Sequence, residues 1–572
     1  MVFSRKIPLK KLLHKTTIDT IEPFISRVNS IIIDAYKFLK LFFIQEFKND
    51  KVPPVIDRKL MNNIYYLITN RKRKISYLKQ DEIKDLQDFY DKHFCQLQHQ
   101  KVDGNRLGQF LDQETIQLQT NVENICNFNF YNYIKLLSKC YLKLFEEKNY
   151  KLVHKLTKSF YKNKVQSGCE NYTSVVQEWG PLIQEGLEKT GQERLPLMYK
   201  MLHFVESQNL NLKLLNLLPL RSSLIPCSIC ITKSSCKEDM GDEAIWDSIS
   251  KRACKKFQTE LRTKSVKLNS MRTDGVYASL FFGTEKYKKG VKKPKKTKGE
   301  EVYVDDYDWS SEQRKTVQID PNKGNLLYCL GNHNVKLRYT QNTRRKHQKK
   351  TRYKQIRQKL EKDDKDQLDV IIEELKKCNK KTVDFQTFKE YIIIKNKYEK
   401  SFQKLYCNKT YRKLRFNTWM NTKRSEDLFV KKFKEVYGDE NEIIVTIGDW
   451  EQRKGISLGK EPTIGKGMRD VFRRHGYKVL LIDERLTSKR CCKCKNGESN
   501  NEYSWQTRQD PRPWMQGKTQ TVWELSRCTK CGVIHNRDTN AVKNMREIIR
   551  ACRNGQERPS YLTTKTSNPV PT

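Results

Sequence analysis

The chain has 572 residues, with 112 Lys and Arg against 67 Asp and Glu, and a formal net charge of +45. Several domains are expected at this length, and so large a positive excess favours a nucleic acid over an anionic membrane surface as the partner. No membrane-spanning helix is expected, because the longest apolar stretch, which begins at Ser30, is interrupted by Asp34, Lys37 and Lys40.

Residues 26–204 are predicted to form a mostly helical lobe, since long stretches carry apolar residues at helical spacing and few glycines. Many lysine-rich helix faces in so basic a chain are expected to hold a nucleic-acid backbone. Residues 1–25 and 205–315 are predicted to form a split second domain, a small β-barrel of wedge type. The indication is a change to short apolar runs around turns, such as the two runs that flank Asp274 and Gly275.

The 17 cysteines are mostly scattered, which is typical of a reducing, intracellular compartment. One C-x-x-C pair, Cys227 and Cys230, is not followed by a second pair at the spacing of a zinc ribbon. We interpret this pair as structural, with a second metal site as the alternative.

A basic run, KYKKGVKKPKKTKGEE, cannot pack a core and is predicted to be an exposed, flexible loop. Its lysines fit a nuclear-import signal, which predicts a nuclear location, and they fit a nucleic-acid patch equally well. The lysines concerned are Lys292, Lys293, Lys295, Lys296 and Lys298.

Residues 316–487 are predicted to form an α/β domain that is interrupted by a helical insertion over 344–416. TVQID, NLLYCLG and NVKLRYT predict three antiparallel strands, an opening typical of an RNase H-like fold. EIIVTIG and KVLLID predict two further strands, and residues 536–555 predict a final amphipathic helix. The tail, residues 556–572, is expected to be disordered.

A zinc ribbon is predicted over residues 488–535, from two C-x-x-C pairs that are separated by 33 residues. Four thiolates in two such pairs match the tetrahedral ligand set of one structural Zn²⁺ ion. The expected ligands are Cys491, Cys494, Cys528 and Cys531.

Three acids stand where a metal-dependent active site can form. Asp320 ends the first predicted strand, Glu484 follows the strand before the ribbon, and Asp538 begins the final helix. Carboxylates that converge repel one another unless cations lie between them, and Mg²⁺ or Mn²⁺ prefers oxygen ligands. Two such ions would orient a water for in-line attack on a phosphodiester and stabilise the leaving oxygen. The alternative is a set of unrelated surface acids.

These stretches carry a family resemblance. IDPNKG, the GDW strand end, IDERLTSKRCCKC, CTKCGVIHNRDTNAVKN, LLPLRSSLIP and LRFNTW resemble segments of the Fanzor family, the eukaryotic relatives of bacterial TnpB and of type V CRISPR effectors. The matching stretches lie within residues 214–230 and 316–550.

The resemblance implies a RuvC nuclease domain of RNase H-like fold with an inserted zinc ribbon, and a helical recognition lobe. It also implies an RNA-guided, Mg²⁺-dependent endonuclease. Such a protein binds a structured guide RNA of the omega type, recognises a short motif beside its target and cuts double-stranded DNA. The protein is expected to be a monomer within this ribonucleoprotein.

One position departs from the bacterial pattern. TnpB proteins resemble this chain except for a glutamate at the end of the fourth strand, where this chain has Gly448 followed by Asp449. Fanzor proteins are similar to this chain in having another glutamate just before the ribbon. The resemblance therefore implies Glu484 as the third metal ligand and leaves the role of Asp449 open.

Two other functions remain possible on the sequence: a RuvC-type nuclease or transposase that acts without a guide, and a guide-bound DNA-binding protein that does not cleave. The large basic helical lobe and the helical insertion argue against the first, since a simple resolvase needs neither. The three acids, all present, argue against the second.

Overall fold

The computed structural model describes residues 3–70, 80–97, 101–147, 149, 152–221, 223–257, 266–284, 301–362, 365–449, 465–504 and 506–563. The five lysines of the candidate import signal lie outside these residues. The chain divides into two compact units, Met1–Gly290 with Lys354–Phe416, and Val291–Tyr353 with Asn417–Thr572. No helix within the described residues combines the length and apolar character that a bilayer crossing requires.

The α-helices among the described residues are numbered in chain order. They are α1 Lys15–Lys48, α2 Arg58–Ile68, α3 Gln80–Phe89, α4 Gly108–Leu144, α5 Leu152–Lys162, α6 Thr173–Glu188, α7 Leu195–Ser207, α8 Glu243–Lys256, α9 Gln341–His347, α10 Lys350–Lys362, α11 Lys365–Lys377, α12 Phe385–Lys397, α13 Glu399–Tyr406, α14 Lys409–Tyr437, α15 Gly465–Arg474 and α16 Arg537–Arg553.

The strands are numbered in the same way. They are β1 Phe3–Pro8, β2 Ile229–Ile231, β3 Val266–Thr273, β4 Tyr277–Thr284, β5 Lys315–Asp320, β6 Asn325–Leu330, β7 Lys336–Thr340, β8 Ile443–Gly448, β9 Lys478–Ile482, β10 Asn501–Tyr503, β11 Thr507–Gln509, β12 Thr519–Thr521, β13 Leu525–Cys528 and β14 Ile534–Asn536.

Helix α1 runs through the hydrophobic core of the first unit and packs against α2, α4 and α12. From residue 31 to 44 it is buried on every face, as expected for a helix whose apolar residues are not confined to one stripe. Within this stretch Lys40 is fully buried, with its ammonium 4.2 Å from the centre of the Phe388 ring. Because Phe388 lies on α12, part of the predicted insertion packs in the same core as the N-terminal helices.

An antiparallel sheet of four strands in the order β1-β4-β3-β2 also belongs to the first unit. Its strands come from residues 3–8 and 229–284, so both parts of the predicted split domain contribute to it. The described strands form an open sheet that begins at β1 and ends at β2, so a closed barrel, which was predicted here, is not observed.

A mixed sheet of five strands in the order β7-β6-β5-β8-β9 forms the centre of the second unit. Strands β5, β6 and β7 are antiparallel neighbours, whereas β8 and β9 run parallel to β5. Strands β8 and β9 are buried on both faces, which explains their continuous apolar sequences.

Side chains of β8 and β9 alternate between two cores, one on each face of this sheet. Val445, Ile447 and Leu481 pack with α14 and α15, whereas Ile444 and Ile482 pack with α16. The alternation decides which side chains reach the candidate active site, since α16 carries Asp538.

Two boundaries differ from those predicted. The helical segment that was expected to end at residue 416 continues to Tyr437 at the end of α14. The tail was expected to be disordered from residue 556, but Tyr561 and Leu562 are buried against α16. These two apolar side chains stabilise the tail as far as residue 563, and residues 564–572 lie outside the described part of the chain.

Candidate active site and metal centre

The candidate acids lie at one edge of the five-stranded sheet. In the parallel strands β5, β8 and β9, Ile319 pairs with Ile447, and Gly448 pairs with Ile482. The carboxyl ends of the three strands therefore meet at one edge, which brings together Asp320, Gly448 and the segment that carries Glu484. The carboxyl edge of parallel strands is where α/β proteins commonly build their sites.

Asp320 and Asp538 share a hydrogen-bond donor. The amide nitrogen of Asn322 donates to Asp320 Oδ2 at 2.9 Å and to Asp538 Oδ1 at 2.7 Å. Asn325 donates to the other oxygen of Asp538 at 2.6 Å. Both carboxylates are buried, so the structure joins the end of β5 and the first turn of α16. We call Asp320, Asp538 and the two asparagines that bond to them the acid cluster.

Burial is the first cause of the raised pKa of both acids. The pKa of Asp320 lies well above its ordinary value because of burial and the neighbouring Asp538, while Arg537 acts in the opposite direction. Burial also raises the pKa of Asp538, against the lowering effect of the hydrogen bond from Asn325. A helix N-terminus favours a carboxylate by only about 0.3–2 kcal/mol, and here burial outweighs it. A cation between the two carboxylates would favour their ionised forms.

Glu484 lies against Gly448. An ideal Cβ atom placed on Gly448 would lie 1.4 Å from Oε1 of Glu484 and 2.3 Å from its Cδ. The Glu484 carboxylate therefore occupies the space that a side chain at position 448 would fill. Gly448 is on the same face of the sheet as Ile444, which packs with α16, so this carboxylate is on the Asp538 side.

Asp449 is held in a different environment. Its carboxylate accepts a hydrogen bond of 3.0 Å from the hydroxyl of Tyr303, whose ring packs against the core formed with α14 and α15. The backbone N–H of Asp449 donates to the carbonyl of Ile482 at 2.9 Å. Because adjacent residues of an extended chain point to opposite faces, Asp449 is directed away from the face that carries Glu484.

The four predicted zinc ligands converge. The Sγ atoms of Cys491, Cys494, Cys528 and Cys531 all lie within 4.8 Å of one another. The N–H groups of Cys494 and Cys531 each point to the first sulfur of their own pair at 3.5 Å, as in a C-x-x-C knuckle. Thiol neighbours raise the pKa of Cys494 to about 12, and a hydrogen bond from Val533 lowers that of Cys531 to about 7.

A soft thiolate set of this kind fits Zn²⁺. Strands β10, β13 and β14 form the three-stranded sheet that carries the second pair, and Cys528 ends β13. The ring of His535 lies beside the cluster, with Nε2 3.2 Å from the sulfur of Cys491.

Two asparagines of α16 hold the first knuckle. The amide groups of Asn540 and Asn544, four residues apart on one helix face, both donate to the carbonyls of Thr487 and Arg490 at 2.8–3.0 Å. Asn540 also accepts a hydrogen bond of 3.0 Å from the N–H of Cys492. Both side chains are fully buried, so α16 connects the thiolate cluster with the acid cluster at Asp538.

Several of these residues were not identified from the sequence. Asn322 stands within the IDPNKG segment and Asn540 within the NRDTNA segment, so both belong to stretches that carried the family resemblance. No sequence pattern indicated Asn325 or Tyr303, because each reaches its partner only through the tertiary fold. His535 lies within the CTKCGVIHNRDTNAVKN segment that carried the resemblance, but its contact with Cys491 also depends on the tertiary fold.

Comparison with known proteins supports the assignment of the C-terminal part. Residues 468–545, which include all four cysteines and Asp538, match a family model described as "Cas12f1-like, TNB domain". This part of the chain is therefore similar to Cas12-like, type V effectors. No curated protein matches the chain.

One solved structure with a likeness to the chain is the cryo-EM structure of CasPhi-2 (Cas12j) bound to crRNA and phosphorothioate-DNA. The identity is 12%, the match covers 51% of this chain and 53% of that chain, and the TM-score is 0.24. The chain thus matches about half the length of that protein.

Proposed function

We propose that the protein is an RNA-guided DNA endonuclease of the Fanzor type. The observation that carries the proposal lies at the sheet edge, where Asp320 and Asp538 share Asn322 and where Glu484 lies against Gly448 on the side of the sheet that faces α16. The match of residues 468–545 to a Cas12f1-like domain supports the same class of enzyme. The three antiparallel strands β5, β6 and β7, which open the five-stranded sheet, support the RNase H-like, RuvC-type domain that the resemblance implies.

The acid cluster fits divalent cations. The atoms that would bind a metal are carboxylate oxygens, which Mg²⁺ and Mn²⁺ prefer as ligands. Both aspartates also have a raised pKa, which a bound cation would lower. Asp320, Glu484 and Asp538 would hold two such ions. When bound, a pair of Mg²⁺ ions supplies the Lewis-acid chemistry of phosphodiester hydrolysis, in which water is activated and the leaving oxygen is stabilised.

The surrounding side chains would position the acids and the substrate. Asn322 and Asn325 orient the carboxylates through the hydrogen bonds described above, which limits their motion before substrate binds. The guanidinium of Arg537 is exposed and close enough to lower the pKa of both aspartates, so it can also approach a substrate phosphate. One Zn²⁺ ion at the four cysteines would stabilise the ribbon without taking part in the chemistry.

The partners belong to the same proposal. A formal charge of +45 is suited to a protein that works with a guide RNA and a double-stranded DNA target. The guide would be of the omega type, the protein would be a monomer in the ribonucleoprotein, and the lysine-rich run at residues 292–298 would direct it to the nucleus.

The first test is to purify the full chain from its native expression context and to sequence the RNA that accompanies it. We expect one discrete RNA species with a variable end, and guided cleavage of a DNA that matches this end. Random cellular RNA, or cleavage that does not depend on the RNA, would instead favour a RuvC-type nuclease without a guide.

The second test removes the acids from the purified ribonucleoprotein. Asp320→Ala and Asp538→Ala should abolish cleavage and leave guide and target binding nearly unchanged, because the affinity comes from many backbone contacts elsewhere. The control is Asp470→Ala, an exposed acid on α15. A loss of target binding in step with cleavage would contradict the catalytic role.

A further inference from the structure

Helix α16 carries three arginines on one face, beyond the acid cluster. Arg546, Arg550 and Arg553 follow one another at intervals of four and three residues, which places them on the same side of the helix. They face the beginning of β5, where Arg314 and Lys315 add two more cationic side chains. All five belong to the second unit.

These side chains line a cavity of about 390 Å³. The other lining residues that the structure describes are Gln313, Thr316, Gln318, Asn332 and Ile549, so none of the described lining side chains is a carboxylate. The cavity therefore combines five cations with amide and hydroxyl groups, which is a suitable surrounding for an oxyanion.

The charge balance of the cavity is positive. Two acids outside its lining pair with two of the cations: Glu312 lies 2.7 Å from Arg314, and Glu547 lies 2.7 Å from Arg550. Among the described residues, Arg546, Arg553 and Lys315 have no carboxylate partner within ion-pair distance. The described part of the chain thus leaves at least three positive charges of the cavity uncompensated.

Two of the arginines are held in place by neutral groups. Arg546 donates to the side-chain oxygens of Gln318 and Asn334 at 3.3 and 3.1 Å, and to the carbonyl of Gly331 at 2.6 Å. Arg553 donates to the carbonyls of Glu312 and Arg314. These bonds fix the walls of the cavity before any ligand arrives, which lowers the entropic cost of binding.

The cations are close enough to disfavour one another. Burial and the neighbouring Arg550 lower the pKa of Arg546 below its ordinary value. An anion in the cavity would relieve this repulsion. A guanidinium presents two parallel N–H donors, so the oxygens of a phosphate group are matched in geometry as well as in charge.

We propose that this cavity, which we call the arginine pocket, binds backbone phosphate groups of a nucleic acid at a distance from the cleavage site. The proposal rests on the proposed function, because it assumes a nucleic-acid partner. Arg546 and Arg550 follow Asp538 by 8 and 12 residues on α16. At 1.5 Å per residue the pocket is about 12–18 Å from the acids along the helix, so its phosphate is not the one that is cut.

The test uses the full-length ribonucleoprotein and two charge-matched double variants. Lys315→Gln/Arg550→Gln removes two exposed cations of the pocket and leaves the structural Arg546 and Arg553 in place. Lys431→Gln/Lys432→Gln removes two exposed cations of α14 as the control. We expect the pocket variant to bind its nucleic acid about tenfold more weakly than the wild-type protein, with a change below about twofold in the control. The slope of log affinity against log salt concentration should decrease by about one unit in the pocket variant.

Phosphate ethylation interference identifies the ligand, applied separately to the guide RNA and to each DNA strand. In the wild-type protein, ethylation of one or a few adjacent phosphates should weaken binding, and in the pocket variant the same positions should have no effect. The strand that shows this signal distinguishes RNA from DNA. The conservative variant Arg550→Lys should keep most of the wild-type affinity, because it keeps the positive charge. Unchanged melting temperatures should show that all the variants fold.

Two outcomes would overturn the arginine pocket: an equal loss of affinity in both double variants, or no phosphate whose effect depends on the pocket. A protein that shows the pocket-dependent phosphates but cuts no DNA would contradict the proposed activity alone. Guided cleavage without such phosphates would contradict the pocket alone.

Discussion

At the scale of single residues, the structure distinguishes Glu484 from Asp449, the two acids that the sequence leaves as candidates for the third metal ligand. Its carboxylate lies on the α16 side of the sheet, whereas the Asp449 carboxylate accepts a hydrogen bond from Tyr303. We expect Glu484→Ala to reduce the single-turnover cleavage rate by about a thousandfold or more, the scale for loss of a key electrostatic group. Asp449→Ala should cost much less at the same Mg²⁺ concentration. An inactive Asp449→Ala with an active Glu484→Ala would show that the assignment is wrong.

The space at Gly448 gives a second prediction at this scale. A Cβ atom there would overlap the Glu484 carboxylate, so Gly448→Ala should displace it. We expect cleavage to fall by about a hundredfold, the scale for a misplaced catalytic group, with little change in guide binding. Gly467→Ala is the matched control, because a Cβ at that position meets no atom within 4 Å. Equal activity of the two alanine variants would contradict the role of this contact.

The raised pKa of Asp320 predicts a link between pH and stability. An aspartate whose pKa is raised in the folded state stabilises it below the unfolded pKa of about 4, and this contribution is lost as pH rises through the folded pKa. Without Mg²⁺, Asp320→Asn should therefore unfold at a higher temperature than the wild-type protein, on the order of 1 kcal/mol more stable near neutral pH.

The difference between the two proteins should decrease toward pH 4 and also when Mg²⁺ is added to the wild-type protein. Thermal unfolding of both proteins from pH 4 to 8 measures this. A difference that does not change with pH would mean that the gain has another cause than the ionisation of Asp320.

At the scale of elements, α16 connects the four-cysteine cluster with the two aspartates. Asn540 is buried between this helix and the first knuckle and makes three hydrogen bonds to backbone groups. Asn540→Ala leaves buried backbone groups without partners, which costs about 1–3 kcal/mol of stability for such a group. Because Asp538 lies two residues earlier, cleavage should also decrease.

Lys543→Ala, an exposed substitution on the same helix, is the control for Asn540→Ala. Melting temperature and cleavage rate should both change for Asn540→Ala, and neither should change for Lys543→Ala. An Asn540→Ala protein with wild-type stability would show that this side chain does not stabilise the contact between α16 and the first knuckle.

The four-cysteine cluster is expected to depend on a bound zinc ion. Cys528→Ser should release one Zn²⁺ ion per protein and destabilise the C-terminal part of the second unit, because a structural zinc site contributes folding free energy. Cys492→Ser is the internal control, since Cys492 lies within the first knuckle but outside the group of four sulfurs. Elemental analysis is the measurement, and a wild-type protein without zinc would refute the site.

At the scale of the whole molecule, the charge of +45 predicts that a bound nucleic acid stabilises the folded protein. A ligand that binds only the folded protein stabilises it by about 2.7 kcal/mol at a hundred times its dissociation constant. The protein freed of RNA should therefore melt at a lower temperature than the ribonucleoprotein. High salt should reduce the difference, because it weakens phosphate contacts. Equal melting temperatures of the RNA-free protein and the ribonucleoprotein at low salt would contradict a functional complex that contains RNA.

Local patterns in the sequence were sufficient for several features of the protein. The spacing of the cysteines predicted the four sulfurs that the structure brings together, because two C-x-x-C knuckles encode their geometry within a few residues. Apolar runs predicted strands β5 to β9, because the period of side-chain burial is a local property. The same kind of argument predicted disorder for residues 556–563 and was wrong, because two apolar side chains in this polar segment, Tyr561 and Leu562, are buried.

Only the tertiary structure decided which polar groups meet. The apposition of Glu484 and Gly448 depends on the register of two parallel strands, and the shared hydrogen bonds of Asn322 depend on where α16 crosses the sheet. The arginine pocket likewise joins residues that are more than 200 positions apart in the chain. Contacts of this kind produce no periodic pattern in the sequence, because they depend on how whole elements pack and on strand register. The spacing of the cysteines and the burial pattern of the strands, by contrast, are determined by a few consecutive residues.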